Sequence, residues 1–334
     1  MINLTYDQIK DEMKRVLVKH GMDATAAEES AALFADNTVD GVASHGVNRF
    51  PRVISYIEKG YIDLKAQPTR VASLGALEKW DGNLGMGNLN AKRCMDRTME
   101  LASQYGIGAI ALRNTNHWMR GGAYGWQAAN RGYVGICWTN TQPNMPAWGA
   151  KDRRIGNNPF IIALPRKEGP VVVDAAMAQY SYGKIEATQM AGKQLPFPGG
   201  YDEKGELTTD PGEIMKNWRV LPIGYWKGSG FSIVLDLLAA ALAEGNSTYE
   251  VGKLGGDEYA LSQMFIAIDL KQATSEQYTA KIMADTIADI KDSVPVAEHM
   301  KIMYPGEIEM ATRRNNLENG IDVEDSVWET ILKL

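Results

Sequence analysis

Cysteine is almost missing from this chain. Among 334 residues there are two, Cys94 and Cys137, and neither has a CxxC partner. That excludes a disulfide framework and a cysteine-built zinc site, and both read as buried small hydrophobes. Histidine is nearly as scarce, at four residues, so a metal cluster would need scattered carboxylates and no metal is expected. No apolar run reaches the roughly 18 residues of a membrane span. The longest candidate, Phe231 to Ala243, is interrupted by Asp236 and, being apolar nearly all round, reads as a buried helix. Met1 to Lys10 has no basic segment followed by an apolar core, so no secretory signal is read there and a cytoplasmic location is expected. With 35 basic against 41 acidic residues, a net charge of −6 argues against a nucleic-acid partner.

Several motifs are missing as well. No GxGxxG follows a strand, which excludes the usual dinucleotide fingerprint. The nearest match, Gly82, Gly85 and Gly87 in DGNLGMGN, has the reversed spacing; it places N–H groups near an anion or makes a plain turn, and the turn is the simpler reading. The GK pairs at Gly183, Gly192 and Gly252 continue with Ile185, Gln194 and Leu254, so a P-loop fails. Ser181 and Lys184 match SxxK without its companion motifs, and neither GxSxG nor HExxH occurs.

What remains is ordinary globular composition, 45% apolar and 23% charged. The length suggests two domains, at about 100 to 200 residues each. Ile9, Met13, Val16 and Leu17 form a helical stripe behind Thr5 and Gln8 at capping-box spacing, and His20-Gly21 ends it. Further helices are expected over Ala26 to Asp40 and after Pro51 to Gly60. From about residue 76 short apolar runs take over, at Ile107 to Leu112, Val134 to Trp138, Phe160 to Leu164, Val171 to Asp174 and Met264 to Leu270. A helical pattern over Asn88 to Tyr105 precedes the first of them. That alternation indicates an α/β domain. The stretch from 192 to 224, rich in Gly and Pro, reads as a long surface loop. Helix returns near Ser275 to Asp292 and Val323 to Leu334. The expected organisation is a central α/β unit over residues 76–274 and a helical subdomain made by residues 1–75 together with 275–334.

Three clusters carry candidate chemistry. In SHGVNRFP, Ser44 to Pro51, a glycine turn can aim the imidazole of His45 into a cleft, with Arg49 and Arg52 following. An imidazole of pKa near 6.5 exchanges a proton at neutral pH, and a guanidinium binds a carboxylate through two parallel hydrogen bonds. A solvated surface loop is the alternative. In NTNHWMRGGAYGW, Asn114 to Trp126, the end of a strand presents Asn116, His117 and Arg120, then Gly121 and Gly122, which permit close backbone approach to a ligand. Alternatively the aromatics are core and His117 is a satisfied buried histidine. The third set is DAAM at Asp174, GNNP at Gly156 and YWKGSG at Tyr225. There Lys227 and small residues open a helix, either as a phosphate site or as a plain cap. Asp174 at a strand end either accepts from ribose hydroxyls or caps the next turn.

In this order SHGVNRFP, NTNHW…GGAYG, PAWGAKDRRIGNNP, VVVDAAM, GKQLP and YWKGSGFSIVLD resemble the malate/L-lactate dehydrogenase-like family of NAD(P)-dependent oxidoreductases, nearly end to end through the NGIDVEDSVWETI tail. The resemblance implies an α/β, non-Rossmann, malate/sulfolactate dehydrogenase-like fold with a central mixed sheet, and a homodimer with its site near the subunit interface. It implies hydride transfer from NADH, with NADPH less favoured, to a small anionic 2-oxo sugar acid. Oxidation of a malate, lactate or ureidoglycolate-type hydroxy acid is the alternative within the family, and a catalytically silent sugar-acid-binding protein the alternative outside it. His45 falls at the proton donor's position; Ser44 would orient it or bind the carbonyl oxygen, Arg49 would clamp the carboxylate, and His117 would be a second contact or an alternative acid. Pro170, Val171, Val172, Val173, Asp174, Ala175 and Ala176, the pair Trp226 and Lys227, and Gly306, Glu307 and Ile308 fall where the family holds its cofactor. Two departures stand out. Glu307 and Ile308 replace an expected histidine and acid, and Gln142 and Asn144 are polar where a more apolar segment is expected.

Overall fold

The structure, a computed structural model, describes residues 1–255 and 257–334. Its first helix, α1 (Tyr6–Lys19), opens on a complete capping box: Thr5 Oγ1 accepts from the Gln8 N–H and the Gln8 side chain accepts from the Thr5 N–H. The apolar stripe of α1 packs against α2 (Ala24–Val39), capped by Asp23, and near α3 (Phe50–Glu58), which carries Pro51 in its first turn. The two chain ends meet here. Ile2–Leu4 pairs antiparallel with Ile321–Val323, and the last helix, Asp325–Lys333, adds Trp328 and Ile331 to the core formed by Ile9, Leu17, Phe34 and Phe50.

Seven strands form the central sheet: β1 (Thr69–Leu74), β2 (Leu77–Asp81), β3 (Ile107–Thr115), β4 (Tyr133–Thr139), β5 (Phe160–Leu164), β6 (Val171–Ala175) and β7 (Leu261–Asp269). Their spatial order is β1-β2-β3-β7-β4-β5-β6. Only β2 and β3 pair parallel; every other neighbouring pair is antiparallel. The sheet is therefore mixed and not the doubly wound parallel sheet of the usual dinucleotide folds. Both faces are covered, and the period-2 pleat sorts the side chains. Ile110, Leu112, Cys137 and Phe265 meet the helices Gly87–Tyr105 and Gly122–Ala129, while Ala111, Trp138 and Met264 meet the helix Trp226–Ala243. Cys94 and Cys137 are both free and buried, and burial pushes each thiol's pKa up.

Two expectations are corrected. The stretch from 192 to 224 is not a plain loop: it holds the hairpin Gly200–Tyr201 with Leu207–Thr208, and the helix Pro211–Asn217. Asp210 caps that helix and Pro211 fills its first position, a start signal hidden among the turn residues. The helix Trp226–Ala243 is buried on one face only. Leu235, Ala239 and Ala243 pack inward, whereas Phe231 and Leu237 are 60% and 59% exposed. It is the one helix, among the described residues, long and apolar enough to match a membrane span. Its Asp236, however, accepts hydrogen bonds from Asn140 Nδ2 and the Thr248 N–H, each at 2.8 Å.

The glycines of DGNLGMGN serve packing. An added Cβ on Gly87 would lie 2.3 Å from the His117 carbonyl and 2.4 Å from that of Asn116, so the helix Gly87–Tyr105 starts directly against the end of β3. Asn116 Nδ2 fastens the same loop by donating to the carbonyls of Tyr61, Leu84 and Gly85. Gly87→Ala is expected to cost about 1–3 kcal/mol by overpacking, read as a lowered midpoint in thermal denaturation.

Candidate active site

The turn after α2 is pinned to the helix it leaves. Thr38 Oγ1 donates to the Phe34 carbonyl at 2.8 Å and accepts from the Val47 N–H at 3.0 Å, and Asn37 Nδ2 donates to the His45 carbonyl at 3.0 Å. Gly46 sits so close to α2 that a Cβ would lie 2.2 Å from Thr38 Oγ1. Glycine is needed here for proximity. Two short 3₁₀ turns, Ala43–His45 and Val47–Arg49, result. Ser44 Oγ lies 3.1 Å from His45 Nδ1, which leaves Nε2 facing the cleft.

The end of β3 brings His117 to the same place. The two imidazoles stack with centroids 5.7 Å apart and planes 17° from parallel. His117 Nδ1 accepts from the Met119 N–H at 2.9 Å, so in the neutral ring the proton resides on Nε2. Met119 holds φ of +69° to deliver that N–H, a left-handed conformation costly for a side-chain-bearing residue. His117 Nε2 faces Glu258 Oε1 at 3.7 Å, and Glu258 Oε2 accepts from the Gln142 N–H at 3.1 Å. Arg120, 3% exposed, donates to Asp40 Oδ2 at 2.5 Å, and its Nε lies 3.6 Å from Asp174 Oδ2.

The electrostatics follow from burial and from an excess of guanidinium. Burial away from water, then Arg49, then Arg120, lowers the pKa of His45 to about 4. Burial first, then Arg49 and His45, holds His117 well below its ordinary value. Burial lowers Arg49, with Glu258 the strongest opposing influence, and burial raises Glu258. A cleft of this kind favours an anion, because each added negative charge relieves the cations around it.

The candidate cofactor segments lie together on one sheet edge. The Val172 N–H donates to the Pro305 carbonyl at 3.0 Å, joining Pro170 to Ala176 with Gly306, Glu307 and Ile308. Past β6 the Ile223 N–H donates to the Met177 carbonyl at 2.8 Å, and Trp226 and Lys227 follow three residues on. Val173, Trp226 and Ile308 are exposed, while Gly306, at φ +94°, starts the helix Glu307–Asn319. Glu307 forms an ion pair with Lys291. The edge meets the histidines at two points. Arg120 spans from Asp174 to the neighbourhood of His45, and Ser44 Cβ lies 3.7 Å from where a Cβ on Gly183 would stand.

Some local readings change. Asp174 caps neither the next turn nor an empty site; its Oδ2 accepts from the Gly122 N–H at 2.9 Å, at the start of an earlier helix. Gly121 and Gly122 approach Ile161 and Asp174, not a ligand, and Trp118 and Tyr124 are core. Gly228 packs on Ile223 and Ser229 Oγ accepts from the Trp148 N–H, so these two small residues serve packing, while Lys227 beside them is exposed. Ser181 is a helix cap accepting from the Lys184 N–H, which accounts for the SxxK match. Sequence reasoning did not select Glu258, Asp40 or Asn37. Glu258 carried the only available signal, an acid immediately before an apolar strand.

The chain matches the malate/L-lactate dehydrogenase family pattern over residues 4–332. It is 50% identical to a 2,3-diketo-L-gulonate reductase of Escherichia coli O127:H6, with 100% of both chains covered. Malate dehydrogenase from Entamoeba histolytica superposes with a TM-score of 0.93 at 26% identity, covering 99% of this chain and 96% of that one. Sulfolactate dehydrogenase from Methanocaldococcus jannaschii gives 0.91 at 29% identity, with 99% and 95% covered. A mixed seven-stranded sheet with a helical layer that sets His45 against the sheet's His117, matched along the whole chain by such relatives, makes this chain an oxidoreductase that belongs to the malate/L-lactate dehydrogenase family.

Proposed function

We propose that the protein reduces 2,3-diketo-L-gulonate, a 2-oxo sugar acid, to 3-keto-L-gulonate with NADH. The observation that carries this reading is the stacked His45–His117 pair, tied through Arg120–Asp174 and Ser44–Gly183 to an exposed sheet edge. The relative that carries this substrate's name is identical at half of all positions. The edge suits a dinucleotide. It offers exposed apolar faces at Val173, Trp226 and Ile308 on which the rings of a dinucleotide can lie. Held by the segments around Val173, Trp226 and Ile308, NADH would supply the hydride that the carbonyl carbon beside the carboxylate needs. As the carbonyl π pair moves onto oxygen, protonated His45 gives its Nε2 proton to that oxygen, completing the hydroxyl. Ser44 holds Nδ1, Arg49 pairs with the carboxylate, and His117, stacked on the His45 ring, is a second polar wall of the site. Asp174 and Glu307 are acids and Lys291 is already paired, which favours NADH over the additional phosphate of NADPH.

We also read the chain as a cytoplasmic homodimer. The outer face of the helix Trp226–Ala243 leaves Phe231, Val234, Leu237 and Leu238 exposed, and the helix Glu276–Lys291 has no buried residue within the chain. A second copy covering these faces would satisfy both.

His45→Ala lowers kcat for keto-acid reduction by about 10² to 10⁴ while NADH affinity, read by fluorescence titration, holds; 2,3-diketo-L-gulonate in a panel with 2-oxo acids gives the highest kcat/KM in the parent. Because the free His45 pKa is lowered to about 4, the proton-bearing form grows as pH falls. So kcat/KM for reduction rises from neutrality toward acid, and the midpoint in kcat lies at higher pH, since the bound carboxylate stabilises imidazolium. Leu237→Asp yields monomer in sedimentation or light scattering.

A further inference from the structure

Glu258 is buried, with 5% exposure, on the segment between the helix Thr248–Lys253 and β7. Among the described residues its carboxylate accepts one hydrogen bond, from the Gln142 N–H, and the one basic side chain within 4 Å of it is the neutral His117 ring, at 3.7 Å. Burying a carboxylate without a direct guanidinium partner costs free energy. Fold stability therefore gives no account of it. Its surroundings do. From α3 and the turn before it come Arg49, Arg52 and Tyr56, from the loop after β3 comes His117, and from its own segment comes Asp257, which pairs with Lys59 and Arg52; Arg120, already paired with Asp40, acts on His45 in the same cleft.

We propose that Glu258 is a positioning residue for this reaction: its carboxylate holds His117 as the Nε2–H tautomer and supplies the counter-charge that allows two imidazoles and three guanidiniums to share one cleft. The inference rests on the reading of His45 as proton donor. Met119 fixes Nδ1 as the acceptor, so Nε2–H points at Glu258 Oε1. Arg49 and the Gln142 N–H favour the ionised carboxyl against the burial that raises it. With Glu258 present, the cleft can gain a proton on His45 without adding to an uncompensated cluster of cations.

The test is Glu258→Gln, which keeps the shape and an acceptor for Gln142 but removes the charge. At neutral pH kcat/KM should fall about tenfold, the equivalent of one pKa unit, and the midpoint of the kcat–pH profile should move to lower pH. Glu258→Asp, retaining the charge, should return the midpoint toward the parent's. Glu258→Gln combined with His117→Asn should be little worse than His117→Asn alone, because one residue acts through the other. A Gln profile coincident with the parent's, or full additivity in the double variant, overturns the proposal. Imidazole ¹⁵N spectra of the unaltered protein give a check that needs no variant: an Nε2–H tautomer at His117 is expected, and an Nδ1–H tautomer overturns it. If His45→Ala keeps full activity, the proton-donor reading fails instead, whatever Glu258→Gln does.

Discussion

The buried ion pair between Arg120 and Asp40 is the joint on which the site depends. Asp40 ends α2, and Arg120 follows β3, so one contact registers the helical layer that carries His45 against the sheet that carries His117. Arg313, on the C-terminal helix Glu307–Asn319, binds the other Asp40 oxygen at 2.8 Å and Asp36 at 2.7 Å, while Asp174 in β6 approaches Arg120 from the far side. Four separate segments converge on a few charged groups. Removing one partner from such a buried cluster strands the others, at about 3–5 kcal/mol. The cluster contributes geometric definition more than net stability.

The same joint sets the charge of the cleft. The chain as a whole is acidic at −6, yet Arg49, Arg52 and Arg120 gather around two imidazoles; Asp40 and Asp174 answer Arg120, Asp257 answers Arg52, and Glu258 is the strongest opposing charge for Arg49. Global charge reports solubility and steering, whereas a pocket reports what its own walls hold. This pocket holds His45 without its proton until negative charge arrives. In the reaction proposed here, an anionic substrate would bring with it part of the interaction that makes the histidine an effective acid, an interaction strongest once water has left the cleft.

Much of this was legible from residues alone. Thr5 and Gln8 announced the first cap, Phe160–Leu164 was bounded correctly, and the SHGVNRFP and NTNHW segments were singled out as chemistry-bearing. That the two would stack ring on ring was not legible, because it depends on the long-range Arg120–Asp40 contact and on a left-handed Met119. Glu258 escaped notice because a single acid before an apolar strand looks the same whether it is solvated or buried. Gly121 and Gly122 misled for a related reason: a glycine shows that something comes close, and here it is Ile161 and a carboxylate of the same chain.

The helix Trp226–Ala243 shows where composition runs out. Apolar all round, it satisfies equally a core helix, a membrane span and a helix packed on two different partners. Leu235, Ala239 and Ala243 assign one face to the sheet, and Asp236, bound by Asn140 and Thr248, anchors that face at its middle. The outer face begins at Trp226, 65% exposed and one of the residues proposed here for the cofactor. In the homodimer proposed here the surface that joins two copies and the edge that receives the dinucleotide start from the same turn. Association and cofactor binding would then draw on one set of backbone contacts, those linking Ile223 to Met177 and Gly228 to Ile223, so loosening either should weaken the other.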